Sequence, residues 1–94
     1  MPKKKNIKSN EALAFQLKAL SHPARLEIIK ILKERDCICG ELVDVLPLAQ
    51  ATVSQHLKVL KKAGFIIGDI NGTKVCYTLN RGALESFKKD LEII

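Results

Sequence analysis

The sequence is first informative for what it is short of. No apolar run approaches the length of a membrane span, although 47% of the 94 residues are apolar, so a globular, non-membrane chain is expected. The stretch MPKKKNIKSN is basic with no apolar segment behind it, which argues against a secretory signal. Cysteine occurs only at 37, 39 and 76. Three cannot all pair within one chain, and without an export signal they read as thiols of a cytoplasmic protein. Acids are outnumbered, 10 against 16 Lys and Arg; the net charge of +6 favours a polyanionic partner. Paired carboxylates, a nucleophile beside a base and a glycine-rich phosphate loop are all missing. A single modest core leaves little room for a substrate cleft. Neither an enzyme nor a small-molecule substrate is expected. There is no internal repeat and no low-complexity segment.

The most telling absence is local: Gln50 to Gly64 contains no acid. Val53, Leu57 and Leu60 fall at i, i+4 and i+7, one apolar stripe of a helix. Opposite that stripe lie Ala51, Gln55, Lys58 and Lys62, with Thr52 and Ser54 on the flanks. Such a face suits the major groove. Amides read base edges, a small Ala touches a thymine methyl, and Lys and hydroxyl groups hold phosphates. An ordinary solvated helix also shows Gln and Lys, so the face alone leaves both readings open.

Its neighbours add context. Residues 1–9 read as a basic flexible tail and 10–94 as one DNA-binding domain. Asn10 can cap a first helix over 11–20, with Leu13, Leu17 and Leu20 in one stripe and Ala12, Phe15 and Ala19 in another. Ser21 can cap a second helix with Pro23 in its first turn. Leu26, Ile28, Ile29, Ile31 and Leu32 fill its inner side; Arg25 lies mostly outside. A short third helix over 41–46 carries Leu42, Val45 and Leu46 inward, and Pro47 ends it. A short helix, a turn and an amphipathic helix make a helix-turn-helix, which favours the recognition reading.

Gly64 closes the fourth helix. Residues 65–70 and 73–79 read as strands around Asn71-Gly72, a strong hairpin signal. A two-residue loop there would pair Ile70 with Thr73, Asp69 with Lys74 and Ile66 with Tyr77. The hairpin is then a wing, whose tip of Asn71, Gly72, Thr73 and Lys74 can reach the DNA backbone or minor groove. Residues 81–94 read as a last helix striped by Leu84, Phe87, Leu91 and Ile94. The expected fold is mainly α with a small β-hairpin, a winged helix-turn-helix ordered α-α-α-α-β-β-α. Its first and last helices form the natural homodimer surface, through Ala12, Leu13, Phe15, Leu84, Phe87, Leu91 and Ile94.

Over nearly its whole length the chain resembles the ArsR/SmtB family of small winged-helix repressors that sense metals, metalloids or redox species. The segments that carry the likeness are Leu20-Ser21-His22-Pro23-Ala24-Arg25-Leu26, Ala49-Gln50-Ala51-Thr52-Val53-Ser54-Gln55-His56-Leu57 and Lys61-Lys62-Ala63-Gly64-Phe65. The resemblance implies a homodimer on a two-fold double-stranded operator, with recognition helices about one DNA turn apart. It also implies DNA contacts from Gln50, Thr52, Ser54, Gln55 and His56. The wing departs from the family: Thr73 stands where many relatives have a basic residue, and Cys76 where many have an aromatic.

Relatives that sense arsenite, antimonite, cadmium or lead often bear Cys-x-Cys at the start of the third helix. Here Cys37 and Cys39 lie one residue out of that register, and the third cysteine of some arsenite sensors is absent. A site for As(III), Sb(III) or a soft divalent metal still needs a third ligand. Cysteines near a helix N-terminus could instead form a redox switch, or be small core hydrophobes. Cys76 reads as strand packing. The last helix has no His, which argues against the family's zinc site there. His22 reads as structural; His56, beside the recognition face, reads as a phosphate contact or as a bridge to a neighbouring backbone. The leading expectation is thus a repressor released by a thiophilic metal or metalloid, or by thiol oxidation. A repressor without such an effector, or a winged helix that binds protein, remains the alternative.

Overall fold

Local chemistry sets the ends of each element. The computed structural model describes residues 8–35, 42–71 and 74–94, with the backbone alone described at 8, 9, 42, 43, 71 and 74. The order is α1 (Lys8–Ala19), α2 (Pro23–Glu34), α3 (Leu42–Val45), α4 (Gln50–Lys62), β1 (Ile66–Asn71), β2 (Lys74–Leu79) and α5 (Arg81–Asp90), then a 3-10 turn at Leu91–Ile93. This is the expected winged helix-turn-helix.

Three helix ends differ from expectation. α1 already begins at Lys8, so Asn10 lies inside it; no Gly or Pro stands between Lys3 and Asn10 to stop the helix running back. The residue that caps α2 is His22, not Ser21. Its extended backbone turns Nδ1 onto the Ala24 N–H at 3.0 Å, and Pro23 follows at the first helical position. Ser21 instead donates to the Lys18 carbonyl at 2.7 Å and closes α1. α5 is shorter than the 81–94 stripe suggests. Asn80 caps it on the Ala83 N–H, and its last turn tightens into the 3-10 segment.

The expected stop of α4 is present in full. The Gly64 N–H donates to the Lys61 carbonyl and the Phe65 N–H to the Leu60 carbonyl, with Gly64 at φ +87°. This is the Schellman arrangement. A Cβ on Gly64 would meet nothing within 4 Å, so any cost of a side chain there is purely backbone. Gly64→Ala is expected to cost about 1–2 kcal/mol, lowering Tm by roughly 5–15 °C. An unchanged Tm would show that the turn relaxes to negative φ.

The hairpin register is a correction. Ile66 pairs with Leu79, Gly68 with Tyr77, Asp69 with Cys76, Ile70 with Val75 and Asn71 with Lys74. Ile66 therefore slides two residues from its expected partner, and Asp69 does not oppose Lys74. A two-residue slip leaves every side chain on its own face, so alternation could not choose between the registers. Burial chooses: Ile66 and Leu79 pair inside the core, and the Tyr77 ring lies over Gly68, where a Cβ would stand 3.2 Å from Cε1.

The core is drawn from nearly every element. Ile28, Ile29, Leu32, Leu46, Val53, Leu57, Leu60, Phe65, Ile66, Leu79, Leu84 and Phe87 are buried, and Ala19 joins them from α1. Phe65 and Phe87 meet edge to face at 5.1 Å. Leu84 and Phe87 are thus core residues rather than dimer-surface residues, and Leu13 and Leu91 are partly buried against the same cluster. The reason is that α2 to α4 and the wing do not close the core by themselves. α5 covers it, tied down where Arg81 donates to the Lys33 carbonyl and the Asn80 N–H to the Phe65 carbonyl. Leu26 and Val45, expected inside, are exposed. Leu26 sits about 120° around the helix from the centre of the Ile28–Ile29–Leu32 face. Among the described residues no helix is long and apolar enough to cross a membrane.

Candidate nucleic-acid interface

The anchored side of α4 is apolar and its open side is not. Val53, Leu57 and Leu60 are buried, whereas Gln50, Ala51, Thr52, Ser54, Gln55, Lys58 and Lys62 are exposed together. The helix starts in an extended Ala49 without a side-chain cap, and Lys61 and Lys62 fill its last turn. The first-turn N–H groups and the flanking hydroxyls and amides therefore lie open, with positive charge alone along the rod. The arrangement can accept phosphates and read base edges.

His56 is the exception among the residues expected to touch DNA. It is only 7% exposed. Its Nδ1 accepts from Arg25 Nε at 3.1 Å, and its ring packs against His22 with centroids 4.3 Å apart. Arg25 Nη1 also reaches the Lys18 and Ala19 carbonyls at 3.4 and 3.3 Å. One guanidinium thus joins the end of α1 to the inner side of α4, while His22 caps α2 beneath the same ring. These three residues form the mount of α4. Helical spacing had placed Arg25 mostly outside, and the family resemblance had given His56 to DNA. The available signal was that all three lie in the segments that carry the family likeness.

The mount titrates. Burial, then the His22 ring and the Arg25 charge, hold the His56 pKa below its ordinary 6.5. The folded chain therefore prefers neutral His56, and a proton on Nδ1 would oppose the Arg25 donor. As pH falls below the unfolded value, the unfolded chain takes up the proton first and stability drops. Tm is expected to fall between about pH 7.5 and pH 5.5. His56→Asn, whose amide oxygen can still accept from Arg25, should flatten that slope. Parallel slopes for the two proteins would remove His56 as the cause.

Cys76 is not a strand-packing thiol as expected: it is disulfide-bonded. The sequence has only Cys37 and Cys39 to supply the second sulfur, and both lie outside the described residues. Gly72 and Thr73 are also outside them, as are the side chains of Asn71 and Lys74. Among the described residues no three His, Cys, Asp or Glu side chains come together as metal ligands.

The comparisons agree with this geometry. Residues 22–67, which span the mount, α3, α4 and the start of the wing, match the family described as bacterial regulatory protein, arsR family. The HTH-type transcriptional repressor SmtB of Mycobacterium tuberculosis is 46% identical over 69 residues. That match takes in 73% of this chain and 51% of the repressor, so the chain spans about half of that relative's length. The arsenical resistance operon repressor of Staphylococcus xylosus is 34% identical over 86 residues, 92% of this chain and 83% of that one. The solved ArsR-like transcriptional regulator from Rhodococcus sp. RHA1 superimposes with a TM-score of 0.79 at 26% identity, over 90% of this chain and 80% of that one. Mount, helix-turn-helix and wing together place the chain in the ArsR family of bacterial regulatory proteins.

Proposed function

We propose that the chain is a homodimeric transcriptional repressor that lays α4 of each copy into the major groove of a two-fold operator. The observation that carries this is the acid-free face of Gln50, Ala51, Thr52, Ser54, Gln55 and Lys58, exposed together on a helix whose other side is buried. The wing, with Asn71, Gly72, Thr73 and Lys74 at its tip, adds backbone contacts. The dimer surface is what the core leaves open on the terminal helices: Ala12, Phe15 and Ile94, with Ile93 beside them. The repressors of the two curated relatives support this reading, which also makes the protein cytoplasmic.

The effector acts through the cysteines, and the bonded state of Cys76 favours oxidation over metal binding. A disulfide uses two of the three sulfurs and leaves one. A trigonal As(III) or Sb(III) site needs more thiolates than that, so metal binding requires the reduced chain. Oxidation would remove two electrons and two protons from a thiol pair, as a peroxide leaves as water, and bond Cys76 of β2 to a second sulfur. Transient regulatory disulfides of this kind are the sort that cytosolic proteins hold. The disulfide then biases the spacing of the two recognition helices.

Anisotropy of a labelled operator tests both halves. Binding is expected to weaken steeply with salt, and oxidised protein to bind at least about ten-fold more weakly than reduced protein. Affinity indifferent to salt would point to a protein partner. Equal affinity in the two redox states would remove the switch, and release of the reduced protein by arsenite alone would restore the metalloid reading.

A further inference from the structure

One guanidinium ties together two helices with different tasks. From α2, Arg25 Nη1 holds the Lys18 and Ala19 carbonyls at the end of α1, while its Nε donates to His56 Nδ1 on the inner side of α4. An accepting Nδ1 requires the neutral ring, with its proton on Nε2. A second proton would remove the acceptor and set two cations across the 3.1 Å that the hydrogen bond now spans. The ring is buried, so water there does little to screen them. The groups that face His56 are the His22 ring and the Arg25 guanidinium, both of α2 or its cap. Lys18 of α1 and Lys62 of α4 line one groove with Arg25. The positions a turn away along α4, Thr52, Val53, Val59 and Leu60, carry no charge. Among the described residues no carboxylate acts on the ring, so nothing there would hold an imidazolium.

We propose that Arg25 and His56 are positioning residues for the operator: the neutral pair holds α4 as the major groove requires, and a proton on His56 frees it, so that operator affinity falls in mild acid. The proposal rests on the reading of α4 as the DNA-binding helix. A switch needs a ligand that distinguishes two arrangements, and here the proton binds Nδ1 only where Arg25 has withdrawn. Val53, Leu57 and Leu60 still anchor the freed helix, so it stays folded while its tie to α2 and the end of α1 is lost. By linkage, a duplex that selects the tied arrangement makes His56 harder to protonate. Burial and its neighbours already hold the His56 pKa below 6.5, which places the response on the acid side of that value. The sign separates this role from a histidine on a phosphate. There, binding would tighten in acid, and the duplex would raise the proton affinity of the ring.

The test uses the full chain and a duplex selected from a random pool at about pH 8. Anisotropy is followed from about pH 8 to about pH 5.5 at fixed ionic strength, with circular dichroism reading the folded fraction at each pH. Affinity is expected to fall at least about five-fold across that range. His56→Asn should flatten the fall. His22→Asn, which keeps an acceptor for the Ala24 N–H, should retain it. The ring C–H signals of His56, followed by NMR in the unaltered protein, should titrate at lower pH in the complex than in the free chain. Affinity that holds level or rises in acid overturns the proposal, as does a fall that follows His22 instead of His56. So does a fall that merely tracks loss of the folded signal, or a His56 titration moved upward by the duplex. If no duplex binds at about pH 8, the reading of α4 fails, and this inference with it.

Discussion

Phe87→Ala lowers the stability of the folded chain by about 3–5 kcal/mol, the usual cost of emptying a buried phenyl site. For a domain of this size Tm should fall by more than about 12 °C. Phe87 is 4% exposed and stands edge-on to Phe65, itself fully buried. Truncation therefore opens a cavity at the centre of the molecule and removes the aromatic pair. The loss is expected to be the same in dilute and concentrated protein, because the contact lies within one chain. Phe15→Ala is the control: exposed on α1, it should change stability by under about 0.5 kcal/mol in the monomer and act on association instead. If the Phe87→Ala loss vanished in concentrated protein, Phe87 would belong to the surface between copies after all.

Gln55→Ala and Lys58→Ala should separate reading from holding. Both side chains are exposed on the open side of α4, so neither change should disturb the core. An amide that makes a bidentate base contact discriminates by about 1–3 kcal/mol. Gln55→Ala is therefore expected to relax preference at one base pair by roughly five- to hundred-fold. Lys58→Ala should weaken every sequence alike and lower the salt slope by about one unit. Operator and random duplex, each titrated at several salt concentrations, measure both effects. Identical losses on the two duplexes for both variants would mean that α4 is not read as assigned.

Much of the architecture was legible because periodicity and punctuation are local. The α4 stripe, the Gly64 stop, Pro23 at the start of α2 and the hairpin between α4 and α5 all follow from residues within a few positions of one another. Errors arose where local patterns were degenerate. Ser21 and His22 can both cap, and only the backbone angles at His22 decide between them. The two hairpin registers put the same side chains on the same faces, and only the burial of Ile66 against Leu79 separates them. The stripe of α5 announced an apolar face without saying what it covers.

By itself the sequence determined the order of elements and the acid-free outer face of α4, since both depend on which residues sit three or four positions apart. Tertiary structure alone decided which apolar stripes are core and which remain open, because that depends on what lies across the gap. It also took His56 from the surface and gave it to Arg25, 31 residues away in sequence, and it joined Cys76 to a second sulfur. Contacts between distant segments leave no periodic trace, so neither could be read from the chain before it was folded.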